Sequence, residues 1–193
     1  MLIRFLVLIS LLINLNICYA NQTLNVSENK KIIFSYNEKN YFIKLKINNR
    51  EKEVNLLNPI DADNIPNEIG EIERIDEKYT VIAKIKHPTK PSGGSCGAGV
   101  EVVLSVIDLN NEKPREIYTE KIASCQEFIE LSGSEDDNTM KIGGYFSWNK
   151  DAISINKKEK TITLHWWTNR KKEGKEITKI KINNDSTVTV IDK

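Results

Sequence analysis

The sequence predicts an all-β fold of antiparallel strands, on three observations. Apolar residues recur at every second position through most of the chain, turn-forming residues separate these segments, and the helical period is scarce. An alternation of this kind is typical of strands with one face in a core and the other in water. We therefore expect a sandwich or a partly open barrel of about ten strands, with at most one short helix and one disulfide.

Five segments show the alternation most clearly. In each, one set of residues is expected to point into the core, while the residues between them, such as Lys44, Lys46, Lys84 and Lys86, face solvent. The inward sets are Tyr41/Ile43/Leu45/Ile47, Val81/Ala83/Ile85, Val100/Val102/Leu104/Val106, Ile162/Leu164/Trp166 and Val188/Val190.

Asparagines lie between many of the apolar segments, where their tolerance of left-handed backbone suits tight turns. The predicted turns are Asn48-Asn49, Asn110-Asn111, Asn149-Lys150, Asn156-Lys157 and Asn183-Asn184-Asp185. Together with the alternation they predict a C-terminal meander of strands at 143–148, 151–156, 159–167, 176–183 and 186–192.

Residues 66–76 are the one candidate helix, because Ile69, Ile72 and Ile75 recur at every third position. A strand in the same place is also compatible with the pattern. Residues 58–70 are the best candidate linker, but no shift in composition requires a domain boundary. We therefore expect residues 21–193 to form a single β domain.

Residues 1–20 have the layout of a cleavable signal peptide. Arg4 is followed by an apolar run from Phe5 to Ile13, and a small residue, Ala20, ends the segment. We expect cleavage after Ala20 and a periplasmic or secreted protein. Two alternatives stay open: a retained membrane anchor, for which the apolar run is short, and a lipoprotein attached through Cys18.

Removal of residues 1–20 takes away Arg4 and leaves 27 basic and 27 acidic side chains. A formally neutral chain with interspersed charges argues against general binding to nucleic acid or to anionic lipid, since both depend on excess Lys and Arg. No later segment is apolar enough to cross a membrane, so we expect no stable membrane insertion after cleavage.

Two cysteines, Cys96 and Cys125, remain after signal cleavage. An even pair in an exported chain predicts a disulfide. The run GGSCGAGVEVVLSVIDL, followed by ASCQEFIEL, resembles a loose pattern found in exported proteobacterial proteins. The resemblance covers about residues 93–131, and it implies the same disulfide and the same compartment without implying an activity.

Cys96 is also a candidate nucleophile, because glycines around it allow backbone N–H groups to form an oxyanion hole. A cysteine protease needs a histidine base, and the chain has only His87 and His165. His87 is close in sequence, unlike the base of chymotrypsin-like enzymes, and the segment after Cys96 is strand-like rather than the helix that papain-like enzymes require. A disulfide in a tight turn is therefore the favoured interpretation.

No cofactor or metal is predicted. Asp61-Ala62-Asp63-Asn64 begins like a calcium loop, but the later ligands are not at the required spacing. Glu135-Asp136-Asp137 is interpreted as a solvated acidic turn. Gly93-Gly94-Ser95 lacks the lysine of a phosphate-binding loop. Glu101, on the solvent side of its strand, would become a candidate functional carboxylate if it proved buried.

The segment 161–167 carries the best candidate for partner binding. Trp166 points inward with Ile162 and Leu164, which sends His165 and Trp167 to the opposite face with Thr161 and Thr163. A tryptophan on a polar strand face is typical of a protein-binding hot spot. A loop or second sheet covering this face is the structural alternative, and a sugar platform is another.

We therefore expect a non-catalytic exported protein that binds a protein partner, similar to an immunity protein, an inhibitor or an envelope accessory factor. The argument is partly by elimination, since no catalytic set of residues is evident. The alternatives are an envelope hydrolase whose site has no recognisable motif and a carbohydrate-binding module centred on Trp167. The sequence does not specify the oligomeric state.

Overall fold

The computed structural model describes residues 20–36, 41–57, 66–86, 100–124, 127, 129–131, 139–142, 146–149, 152–167, 174 and 176–192. These ranges contain fifteen strands and no α-helix, and every strand pairing within the sheets is antiparallel. The predicted all-β class is confirmed, with more strands than the ten expected. The strands are β1 (Ala20–Ser27), β2 (Lys30–Tyr36), β3 (Tyr41–Ile47), β4 (Arg50–Glu53), β5 (Glu68–Arg74), β6 (Tyr79–Lys86), β7 (Glu101–Asp108), β8 (Arg115–Ser124), β9 (Ile129–Glu130), β10 (Thr139–Ile142), β11 (Phe146–Asn149), β12 (Ile153–Asn156), β13 (Thr161–His165), β14 (Ile177–Ile182) and β15 (Val188–Asp192).

The strands form three main sheets and one separate hairpin. The N-terminal sheet has the order β1-β2-β3-β4, the central sheet β5-β6-β7-β8-β9 and the C-terminal sheet β12-β13-β14-β15. Among the described strands, β10 and β11 pair with each other and with no third strand. Neighbours in each sheet are consecutive in the chain, so the predicted meander is confirmed for β12 to β15.

Two hydrophobic cores lie on opposite faces of the central sheet. One core packs Val81, Ala83 and Ile85 of β6 against the inner face of the C-terminal sheet, which contributes Ile162 and Leu164. The other packs the reverse face, including Ile82, Ile107 and Leu109, against Ile32, Phe34, Ile43 and Leu45 of the N-terminal sheet. The central sheet is therefore the middle of three layers.

Strand β6 corrects the expectation that each strand has one face in water. Its residues from Tyr79 to Ile85 are all buried, because each of its two faces has a core of its own. Lys84, predicted to face solvent, is buried as well. Strands buried on both faces are expected to be almost continuously apolar, and Lys84 and Lys86 of β6 made its second buried face look like a solvent face.

The candidate helix at 66–76 is the strand β5. A spacing of three places Ile69 and Ile72 on opposite faces of a strand, and the structure assigns them to the two different cores. A bulge between Glu71 and Glu73 shifts the register with β6. The spacing of Ile69 and Ile72, which resembles a helical repeat, therefore places one isoleucine in each core, and Ile75, beyond the end of β5, joins Ile72.

Several predicted turns are confirmed. Asn48 has a left-handed backbone, with φ of 52°, and connects β3 to β4. The Asn156 side chain accepts a hydrogen bond from the Glu159 N–H at 3.1 Å. The turn at 183–185 connects β14 to β15 and ends at Ser186, which also has a positive φ of 65°. Asn149 instead belongs to strand β11.

In the part of the chain that the structure describes, no helix has the length and apolar character needed to span a membrane.

Candidate functional site

The outer face of the C-terminal sheet, which we define by Thr163, His165, Trp167, Ile177, Lys179 and Ile191, carries the predicted partner-binding residues. Cross-strand pairing places Thr163 opposite Lys179 and Lys179 opposite Ile191. His165 lies opposite Ile177. The inner face of the same sheet is packed against the central sheet, so this outer face is the one that is turned away from the core.

The two adjacent tryptophans have opposite environments. Trp166 is 4% exposed and belongs to the core, whereas Trp167 is 59% exposed. The predicted orientations of both are therefore confirmed. His165 is half-buried, and Thr161, assigned to the same face, is buried between its neighbours Asn156 and Lys181. Along β13, the accessible residues of this face accordingly begin at Thr163.

Hydrogen bonds hold the backbone of the tryptophan pair on two sides. The N–H of Trp166 donates to the Glu176 carbonyl at 2.9 Å, and the N–H of Trp167 donates to the Glu130 carbonyl at 3.0 Å. The Trp166 indole N–H donates to Thr178 Oγ1 at 2.9 Å. Trp167 is thus an exposed side chain on an anchored backbone.

The other singled-out residues lie mostly outside the described ranges. This holds for Cys96, Cys125 and His87, for Gly93-Gly94-Ser95, for Asp61–Asn64 and for the acidic stretch Glu135–Asp137. The disulfide therefore stays a prediction. Within the described ranges, no group of three or more His, Cys, Asp or Glu side chains could hold a metal ion.

Glu101 is half-buried, with 18% of its side chain exposed, and has partners. Its carboxylate accepts a hydrogen bond from Ser124 Oγ at 2.9 Å and lies 3.8 Å from the Lys121 ammonium. Lys121 also pairs with Glu127. These contacts join the start of β7 to the end of β8, which is a structural use of the carboxylate close to the edge of the central sheet.

A buried ion pair between Lys84 and Glu116 was not predicted from the sequence. The ammonium and the carboxylate are 2.7 Å apart, and the side chains are 9% and 0% exposed. The second carboxylate oxygen of Glu116 accepts from the Leu57 N–H at 3.1 Å. Burial, and to a smaller extent the charge of Glu116, raises the pKa of Tyr41 to about 12.

A groove of about 480 Å³, which we call the loop-end groove, lies where loops of all three layers meet. The segment after β4 of the N-terminal sheet contributes Asn55 to the lining. The central sheet and its turns contribute Lys78 and Arg115, and the turn between β14 and β15 of the C-terminal sheet contributes Asp185 and Ser186. The asparagines of this region predicted its individual turns from the sequence. They did not predict that the turns lie next to each other and form a groove.

Hydrogen bonds between the layers fix the walls of this groove. Asn55 donates from its N–H to the Pro114 carbonyl at 3.0 Å and accepts from the Glu116 N–H at 2.8 Å. On the other side, Ser186 Oγ accepts from the Lys78 ammonium and lies 2.8 Å from the Tyr79 hydroxyl. The groove is therefore formed by the folded core and not by a free loop.

The outer face and the loop-end groove are thus two surfaces on which defined side chains are held by ordered backbone. A comparison of the chain with models of protein families, with curated proteins and with solved structures finds no match.

Proposed function

We propose that the chain is an exported, non-catalytic protein that binds a protein partner through the outer face of its C-terminal sheet. Immunity proteins, inhibitors and envelope accessory factors are the classes that fit this description. The observation that carries the proposal is the 59% exposure of Trp167 beside a fully packed Trp166. A large aromatic group exposed to water on an anchored backbone is the typical anchor of a protein interface.

The residues around Trp167 indicate the chemical character of the surface that a partner would present. Ile191, 45% exposed, and the half-buried Ile177 add apolar area to the same face. Strand alternation places Lys179 and Lys181 on it too, with no carboxylate among the paired residues of β13 to β15 on that side. The complementary partner has an apolar pocket for the indole and acidic residues at its rim.

Replacement of Trp167 by alanine is expected to weaken the partner complex about 30-fold or more, because truncation of such an anchor costs about 2 kcal/mol of binding free energy. The melting temperature should stay nearly unchanged, since the side chain is exposed. The partner would first be captured from envelope extract on the wild-type domain. Its affinity for both proteins would then be measured by calorimetry.

Leu57→Ala is the matched control, because Leu57 is 50% exposed but lies after β4 on a different sheet. It should bind as the wild type does. A large loss of stability in Trp167→Ala would show that Trp167 is a core residue. An unchanged affinity would exclude this face as the interface. Binding to a glycan that is lost in the variant would favour the carbohydrate-binding module instead.

We also propose that residues 1–20 are removed on export and that Cys96 and Cys125 form a disulfide. Cleavage after Ala20 would leave β1 intact from Asn21, whose backbone pairs with Ser35 of β2. The expected mature protein starts at Asn21 and has no free thiol until a reductant is added. Mass spectrometry after thiol labelling under denaturing conditions measures both. Labelling of two thiols without reductant would contradict the disulfide and restore Cys96 as a candidate nucleophile.

A further inference from the structure

The loop-end groove has a charge distribution that its own residues do not balance. Its lining includes three cations, Lys78, Lys113 and Arg115, and two carboxylates, Asp108 and Asp185. The Lys78 ammonium donates to Ser186 Oγ at 2.8 Å. Among the described residues, no hydrogen bond or ion pair is formed by the side chain of Lys113 or Arg115.

Both carboxylates of the groove already have partners. Asp108 is buried and accepts a hydrogen bond from the Asn110 N–H at 3.1 Å. Asp185 accepts from the side-chain hydroxyl of Thr187 at 2.7 Å and from its N–H at 3.0 Å. These hydrogen bonds, assisted by the charge of Arg115, hold the pKa of Asp185 below its ordinary value. Arg115 lies opposite Asp108 across β7 and β8, and its charge acts on Asp185, whereas Lys113 has no such partner among the described residues. The lining of the groove therefore keeps one cation in excess of its carboxylates.

The backbone at the groove is also unusual. Ser186 adopts a φ of 65° although it is buried and is not glycine. Such a conformation costs free energy and is found where the surroundings impose it. Here it lets Ser186 Oγ contact both Lys78 and the Tyr79 hydroxyl, which joins the C-terminal sheet to the central sheet at the groove wall.

We propose that the loop-end groove binds the oxyanion group of a small ligand, a carboxylate or a phosphate, between Lys113 and Arg115. A guanidinium donates two parallel hydrogen bonds to either group, and an ammonium adds a third donor that adapts to its position. The groove volume of about 480 Å³ lies within the range of small-molecule sites. The polar lining, with amides such as Asn55, suits the hydrated remainder of such a ligand.

The loop-end groove shares no residue with the outer face, so a negative result for oxyanion binding would leave the proposed protein interface untouched, and the reverse also holds. Amide chemical shifts of the ¹⁵N-labelled domain would be followed during titrations with inorganic phosphate and with succinate, each at constant ionic strength maintained with chloride. At least one probe should give saturable shifts concentrated at Asn55, Asn110, Arg115 and Ser186. Saturation by phosphate alone, by succinate alone or by both supports the site and identifies the oxyanion that it prefers.

Lys113→Gln and Arg115→Gln should each raise the dissociation constant about tenfold or more, because each removes a charge-assisted hydrogen bond. Lys179→Gln is the matched control, since it removes a lysine from the outer face, and it should titrate as the wild type does. If Arg115→Gln fails to fold, Lys113→Gln in an exposed loop position carries the test. Linear shifts, shifts spread over the surface, or unchanged dissociation constants in both groove variants would overturn the proposal.

Discussion

Glu116→Ala is expected to lower the free energy of unfolding by about 3–5 kcal/mol, because it leaves the Lys84 ammonium buried without its partner. The carboxylate is fully buried and only 2.7 Å from that ammonium. Its loss also removes the acceptor of the Leu57 N–H, which fixes the segment after β4 to the central sheet. Urea unfolding, extrapolated to water, measures the change.

Two further variants show whether the buried charge is the cause. Glu112→Ala is the matched control, because Glu112 forms an ion pair with Lys52 on the surface at 3.2 Å. Exposed pairs contribute at most about 1 kcal/mol. The double variant Lys84→Met/Glu116→Leu removes both charges and should recover most of the stability. A loss in Glu116→Ala as small as that in Glu112→Ala would mean that water reaches the pair.

Trp166→Ala is expected to destabilise the protein by a similar amount, about 3–5 kcal/mol, through the cavity left in the core. The indole packs with the residues that join the central and C-terminal sheets. Its N–H also donates to Thr178 Oγ1, which in turn donates to Asp192 Oδ1 at 2.7 Å. Loss of the indole therefore weakens the connection between β13, β14 and β15.

The neighbouring residue supplies the comparison. Trp167→Ala removes the same chemical group one position later and should change the free energy of unfolding by no more than about 0.5 kcal/mol. Trp166→Phe keeps a ring but not the indole N–H, so its loss should be intermediate. Thermal and urea unfolding of the three variants give the ranking. Equal losses in Trp166→Ala and Trp167→Ala would contradict the assignment of the two faces.

Local pattern was sufficient for some of these features. Alternation in the segment 161–167 predicted which tryptophan is buried, because successive side chains of a strand point to opposite faces of the sheet. The turns after β3, β12 and β14 were also predicted from local pattern, because asparagine favours the left-handed and turn conformations of the backbone at its own position. Pairing between consecutive strands was predicted only for the C-terminal meander, where the connections are short.

What sequence pattern missed depends on contacts between distant segments. Lys84 looked like a solvent residue because its partner, Glu116, lies two strands further along the chain and follows no local rule. The second core on β6 was not predicted either, because the residues that cover this face belong to the distant strands β2 and β3. The loop-end groove needs loops from three sheets at one place, and no single loop carries information about where the others lie.

The position of β6 and β7 between two cores has a consequence for a chain that is still being synthesised. Residues up to Ser124 contain everything needed for the core between the N-terminal and central sheets. The reverse face, with Val81, Ile85, Val102 and Leu104, is covered only when residues 153–192 have emerged. Until then it is an apolar surface that favours aggregation or capture by a chaperone. A nascent chain stalled before β12 is therefore the vulnerable species of this protein, although one of its two cores is already complete.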